Sequence, residues 1–257
     1  MAYRSQAAVA FGLGILAGAV VGGPALAGAA TKSTTTSSPA TSTSAPTATS
    51  AQVSSAIKAA GQQTSVHYVA SSKESGRSIT ITSSSSATAG TQKIVLRSSK
   101  SVGHVSGRLV YFRGDTCGLE EYLGMPATLA PKYTGKWIFF SPATKDYAPI
   151  AKSFTLATAI SQIAMKGPFT SKSGTVDGKS ATTVTGRDTV TGHVGKAGSA
   201  TLSIASSGTP LPIHYSGKTT VNKTKISGTV DYSGWGQKVT PKAPQGAVAA
   251  SSITSSS

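Results

Sequence analysis

Few residues in this chain of 257 could carry chemistry. Four histidines, His67, His104, His193 and His214, are the obvious metal ligands or general bases. None stands at i, i+4 from another, and none has a cysteine or acid at ligand spacing. No metal site and no cofactor is expected. Glu120 and Glu121 are neighbours; on a helix adjacent side chains diverge by about 100°, so they read as solvated charges rather than a facing carboxylate pair. Cys117 is the only cysteine, so no intramolecular disulfide is available. It is expected to be a small buried side chain, as free cysteines usually are.

Ser55-Ala56-Ile57-Lys58 has the Ser-x-x-Lys spacing of penicillin-binding enzymes, and Lys172-Ser173-Gly174 is similar to their third motif. Such matches arise by chance in a chain this rich in serine and lysine. The companion Ser-Asp-Asn is missing, since the only asparagine is Asn222. Neither a G-x-S-x-G elbow nor a phosphate-binding glycine loop is present. With 8 acidic residues in all, no catalytic residue is assigned and the chain is not read as an enzyme.

The 24 Lys+Arg give a formal net charge of +16, so an anionic partner is expected. A nucleic-acid footprint would cluster cations with interleaved aromatics. Here the cations are dispersed without any run of three and aromatics are 6%, so no nucleic-acid partner is expected.

The elements that would position any site lie between two biased ends. Residues 1–27 read as an export signal: Arg4 supplies the positive start, Ala7 to Val21 the apolar run, and Ala25-Leu26-Ala27 the small-x-small site before Gly28. Residues 28–50 read as a disordered tether, because Thr31 to Ser50 holds 14 Ser/Thr in 20 residues with almost nothing to bury. Residues 245–257 read as a similar tail. What remains, 51–244, is one domain, long enough to bury roughly 70% of its unfolded surface.

Within it, Val53, Ile57 and Ala60 mark a helix ended by Gly61. The period then becomes two: Val66/Tyr68/Ala70, Ile79/Ile81, Ile94/Leu96 and the run Leu109 to Phe112 read as four strands. Asp115 is placed to cap a helix from Cys117 to Leu123. Trp137 to Phe140 is apolar on both faces and is expected at the centre of a sheet. One helix is expected from Ala148 to Ala164, then about five strands, with a type I′ hairpin at Asp177-Gly178. The order defines an α+β fold, an antiparallel sheet with helices on one face.

Several short patterns appear together. Val110-Tyr111-Phe112-Arg113-Gly114-Asp115, Tyr122-Leu123-Gly124-Met125-Pro126 and Tyr133-Thr134-Gly135-Lys136-Trp137-Ile138 are followed by Met165-Lys166-Gly167-Pro168, Thr209-Pro210-Leu211-Pro212-Ile213 and Tyr232-Ser233-Gly234-Trp235-Gly236. Together they resemble the LppX/LprG and LolA-like envelope carriers of actinobacterial type, over about Gln52 to Pro244. The resemblance implies a curved half-barrel of about 10–11 strands with helices on its concave face. It implies a protein that holds lipid acyl chains in an apolar cavity and moves or presents them, without catalysis. Leu26-Ala27-Gly28-Ala29 departs from the lipoprotein members, which would have the lipidated cysteine at Ala29, so a secreted or extracytoplasmic form cleaved near Ala27 is expected.

The candidate cavity residues are Tyr111, Leu123, Trp137, Phe139, Leu156, Ile160, Ile163, Leu202, Ile204 and Trp235, chosen as large apolar side chains near the helix–sheet interface. The expected partners are a lipid or lipidated glycoconjugate and an anionic membrane or cell-wall surface, with the protein acting as a monomer. A secreted structural or interaction protein of the same fold, with its core filled, is the alternative, and a basic nucleic-acid-binding protein is the more distant one.

Overall fold

The computed structural model describes residues 45–74, 76–189, 196–221 and 224–253. The segment read as an export signal, the segment read as a tether as far as residue 44, His193 and the last four residues lie outside the described residues. Helix α1 (Ala45–Gly61) leads into strands β1 (Ser65–Glu74), β2 (Arg77–Ser86), β3 (Gly90–Leu96), β4 (Ser99–Ser106) and β5 (Leu109–Gly114). Helices α2 (Thr116–Leu123) and α3 (Ala130–Tyr133), strand β6 (Ile138–Phe140), and helices α4 (Tyr147–Ser153) and α5 (Leu156–Ser161) follow. Strands β7 (Met165–Val176), β8 (Lys179–Asp188), β9 (Lys196–Ala205), β10 (Pro212–Val221), β11 (Thr224–Ser233) and β12 (Val248–Ala249) end on a single 3-10 turn, Ala250–Ser252.

All twelve strands belong to one sheet, in the order β12-β6-β5-β4-β3-β2-β1-β11-β10-β9-β8-β7. Only β12 and β6 pair in parallel. The sheet is curved and not closed, an α+β half-barrel. Strand twist curls so wide a sheet, and its concave side holds the helices: α1 against β7 and β10, α5 against β1 and β2, α4 against β5, and α2 against β4 and β5.

The alternation that marks the strands is also what fixes their inner face. Val66, Tyr68 and Ala70 on β1, Ile79 and Ile81 on β2, and Leu202 and Ile204 on β9 are all buried. Asp177 and Gly178 have φ of 49° and 75°, the two positive values of the expected tight hairpin. Asp115 caps α2 as its position suggested, accepting from the Gly118 N–H at 2.7 Å.

Four expectations are corrected, and one strand, β4, has no counterpart among them. The helix expected over Ala148–Ala164 is two short helices. Phe154 drives into a hollow where a Cβ on Gly90 or Gly103 would lie 2.4 Å from the Phe154 carbonyl oxygen or 2.7 Å from its ring. Thr155 then turns extended and caps α5 through Thr158. Trp137–Phe140 is not central, because β6 lies next to the edge, flanked by the two-residue β12. It is apolar on both faces because Ile138 and Phe140 face the core while Trp137 and Phe139 join an aromatic cluster on the outer face. Helix α1 starts at Ala45, inside the segment read as tether. The segment read as a tail carries β12, which pairs with Ile138 and Phe139, and Ile253, which packs on the core. Finally, β4 is a strand with no apolar alternation to announce it, since its inward residues are Ser99, Ser101, Gly103 and Val105.

Candidate functional site

The concave face supplies one continuous apolar cluster running from Phe112 and Ile138 through Ile81 and Ile94 to Tyr68, Tyr232, Leu202 and Val184. Of the candidate cavity residues, Leu156, Ile163, Leu202 and Ile204 are buried in this cluster, and Leu123, Ile160 and Trp235 pack partly buried against it. Tyr111, Trp137 and Phe139 do not join it. Val110 and Phe112 point inward on β5, so Tyr111 between them points out; Ile138 and Phe140 do the same to Phe139. The three gather on the outer face around His104, whose ring centroid lies 5.1 Å from Tyr111 and 4.9 Å from Trp137. Phe139 stands 6.3 Å from Tyr111, and the Arg113 guanidinium lies 4.8 Å over Trp137. The main chain at Lys242 hydrogen-bonds to His104, and the Ser106 hydroxyl donates to the Pro241 carbonyl at 3.0 Å, so the segment leading to β12 straps this outer cluster. Burial depresses the His104 imidazole below the usual range, with the Lys242 contact opposing it.

Sequence reasoning missed how the helices are held. Gln92 Nε2 donates to the Ser153 carbonyl at 2.8 Å and to the Tyr68 hydroxyl at 3.3 Å. The Tyr232 hydroxyl donates to Ala159 O at 3.2 Å, and that of Tyr215 to Ala164 O at 3.1 Å. Gln92 and Tyr232 thus satisfy carbonyls in the last turns of α4 and α5, groups left without helical partners, while Tyr215 holds the chain just after α5 at Ala164, whose carbonyl also accepts from the Thr189 N–H. Burial raises all three phenols, Tyr68, Tyr215 and Tyr232, above the ordinary tyrosine range, so they stay protonated and able to donate. No sequence pattern marks such contacts, because they join residues as far as 73 positions apart.

Helix α1 is seated differently. Its buried apolar side chains are Val53, Ala56, Ala59 and Ala60. Alanine offers one methyl group, and at about 0.8 kcal/mol per buried carbon this seam holds less tightly than one of leucines. Beside it opens a cleft of about 410 Å³ between α1 and the ends of β8 and β9, with Ser55 and Gln52 on one wall, Thr182 and Ser206 on the other, and Ile204 and Pro210 among the apolar lining. Apart from Ile204 these residues are too small or polar to signal a site in sequence. Across the loop after β9 a second cleft of about 420 Å³ contains Leu211, Pro212, Tyr232 and Trp235. Trp235 stacks on Tyr232 at 5.8 Å and donates to the Pro212 carbonyl at 3.2 Å. The two clefts share Ala205.

No catalytic arrangement forms among the described residues. His214 Nδ1 lies 2.5 Å from Asp231 Oδ1 on the outer face, and Ser203 is in register with His214. The Ser203 hydroxyl, however, shares its hydrogen bond with Thr183 at 3.0 Å, so no base engages it. His67 Nδ1 faces the Ser84 hydroxyl at 3.0 Å. Cys117 is exposed rather than buried, since α2 turns Gly118, Leu119 and Tyr122 inward. Ser55 and Lys58 are exposed on α1, and Lys172 to Gly174 lie on the exposed edge strand β7.

No family model matches this chain, and no curated protein matches it. Among solved structures it is similar to the Mycobacterium tuberculosis lipoprotein LppX, at 15% identity and a TM-score of 0.47 over 75% of this chain and 97% of that one. It is also similar to LprF from Mycobacterium bovis, at 15% identity and a TM-score of 0.48 over 78% and 98%. A DUF1329 family protein from Desulfovibrio piger aligns at 8% identity and a TM-score of 0.29 over 75% and 93%. LppX is of the type that the sequence patterns resemble. Likenesses of this size carry no weight for function, which rests on the geometry of the chain itself.

Proposed function

We propose that this protein is a non-catalytic extracytoplasmic carrier that holds the acyl chains of a lipid or lipidated glycoconjugate between the sheet and helix α1. The observation that carries this reading is the contrast between two roofs over one apolar trough. Helices α4 and α5 are pinned by Gln92 and Tyr232, and the chain after α5 by Tyr215, whereas α1 is seated by Val53 and three alanines, with Ile57 packed partly buried, beside an open cleft of about 410 Å³, within the size range of small-molecule sites. Lifting α1 gives an acyl chain access to Ile204 and Leu202, with Leu156, Ile160 and Ile163 on the facing helix end and Leu123 and Trp235 along the same cluster. Each methylene moved out of water contributes about 0.8 kcal/mol, so a chain of ordinary length offsets the loss of the alanine seam. Export with cleavage near Ala27, a Ser/Thr-rich tether and a monomeric domain complete the proposal.

Native mass spectrometry and solvent extraction of protein purified from its own host test it. A stoichiometric acyl-lipid adduct that is lost on denaturation is expected. No adduct, either from the host or after incubation with lipid, would leave a sealed-core interaction protein instead.

A further inference from the structure

The outer face of the sheet carries side chains in straight rows across neighbouring strands. In one row Lys73 stands opposite Ser227, Ser227 opposite Lys218, Lys218 opposite Ser199, Ser199 opposite Arg187, and Arg187 opposite Lys166. Their chain neighbours Ser72, Gly228, Gly217, Ala200 and Asp188 are buried on the concave side, so the row points away from the helices. Lys73, Lys218, Arg187 and Lys166 are all exposed. With strands about 4.8 Å apart, the first three cations stand about 10 Å apart and Lys166 lies one strand beyond Arg187. Like charges directly opposite on adjacent strands, as Arg187 and Lys166 are, destabilise a sheet.

Among the described residues no acidic side chain on this face pairs with them, and no carboxylate lies within 4.0 Å of any of the four cations. Glu74 and Asp188 adjoin the row in sequence but alternate onto the concave side. Asp231, two rows away, is engaged by His214. The intervening row is made entirely of hydroxyl side chains: Ser71, Thr229, Ser216, Thr201, Thr185 and Thr170.

We propose that this row is the surface by which the protein lies on an anionic lipid bilayer, with phosphate headgroups supplying the missing counter-charges. The spacing fits a laterally extended array of anions, and the hydroxyl row can hydrogen-bond to headgroup oxygens. Neither row contains an aromatic side chain for base stacking, nor a groove that would track a single polyanion strand. No apolar wedge is present either, so the contact is peripheral and reversed by salt. The inference does not depend on what the concave face holds.

The test is co-sedimentation of the full chain with vesicles of equal parts phosphatidylglycerol and phosphatidylcholine, against vesicles of phosphatidylcholine alone. At the field near an anionic surface each Lys or Arg strengthens binding about fivefold. The variant K73Q/K166Q/R187Q/K218Q is therefore expected to lose binding by roughly several hundredfold, with a melting temperature that is not lowered, since it also removes the facing like charges of Arg187 and Lys166. The control K132Q/K145Q/K238Q/K242Q removes the same charge from exposed positions elsewhere and is expected to keep most of the affinity. Equal losses in the two variants would reduce the effect to net charge and overturn the assignment. So would single-stranded DNA binding lost in the row variant while the vesicles go unbound.

Discussion

Asp188 ends β8 on the concave side, 5% exposed, with its carboxylate over Gly217 and 3.5 Å from the Tyr215 hydroxyl. Burial pushes its carboxyl up to about 6, against a weaker pull downward from the Tyr215 hydrogen bond. In the unfolded chain the group titrates near 3.9, so between these values the folded state binds the extra proton. Its stabilising effect is complete below about pH 4 and is lost as pH rises through about 6. Asp188→Asn, which keeps the shape and cannot ionise, is expected to leave thermal stability at pH 4 nearly unchanged. At pH 8 it should raise stability by about 3 kcal/mol. Melting curves across this range check the sign, and a variant that is less stable at pH 8 would contradict the account.

At the scale of elements, the difference between α1 and α5 has a dynamic consequence. Elements seated mainly by small apolar side chains, as α1 is by Ala56, Ala59 and Ala60, open with lower free energies than elements anchored by large ones. Hydrogen exchange is therefore expected to be at least tenfold faster for the α1 amides around Val53–Ala60 than for the amides of α5 and β2, and to slow in α1 when an acyl ligand is bound. Equal protection in α1 and α5 would contradict a movable roof. The same scale shows what was legible beforehand. Strands β1, β2, β9 and β11 declare themselves because Val66/Tyr68, Ile79/Ile81, Leu202/Ile204 and Val230/Tyr232 alternate cleanly. Strand β4 does not, since Ser99, Ser101 and Gly103 fill its inner face, where Gly103 makes room for Phe154. The break at Phe154 and the pairing of Val248 with Ile138 depend on contacts distant in sequence, and no local period encodes them.

At the scale of the whole molecule the sheet separates two tasks. Its concave side gathers the apolar residues, and its outer side carries hydroxyls, cations and the strapped aromatic cluster. Parity decides which candidate belongs where: Tyr111, Trp137 and Phe139 are as large and apolar as Leu202 or Trp235, yet a single residue of alternation places them behind the sheet. The cleft beside α1 was hidden for the opposite reason, because Ser55, Thr182 and Ser206 become a site only when the fold brings them together. The formal +16 of the sequence likewise acquires a direction once the strands are in register.

The central claim is that an acyl chain enters beside α1, and titration of the full chain with a fluorescent fatty acid tests it most directly when run beside Ser55→Trp. Ser55 is exposed on α1 and forms one wall of the cleft, so a tryptophan there closes the opening without disturbing the core. The account predicts saturable binding to the natural sequence and at least a tenfold weakening in the variant at unchanged melting temperature. Equal binding by both, or none by either, would contradict it.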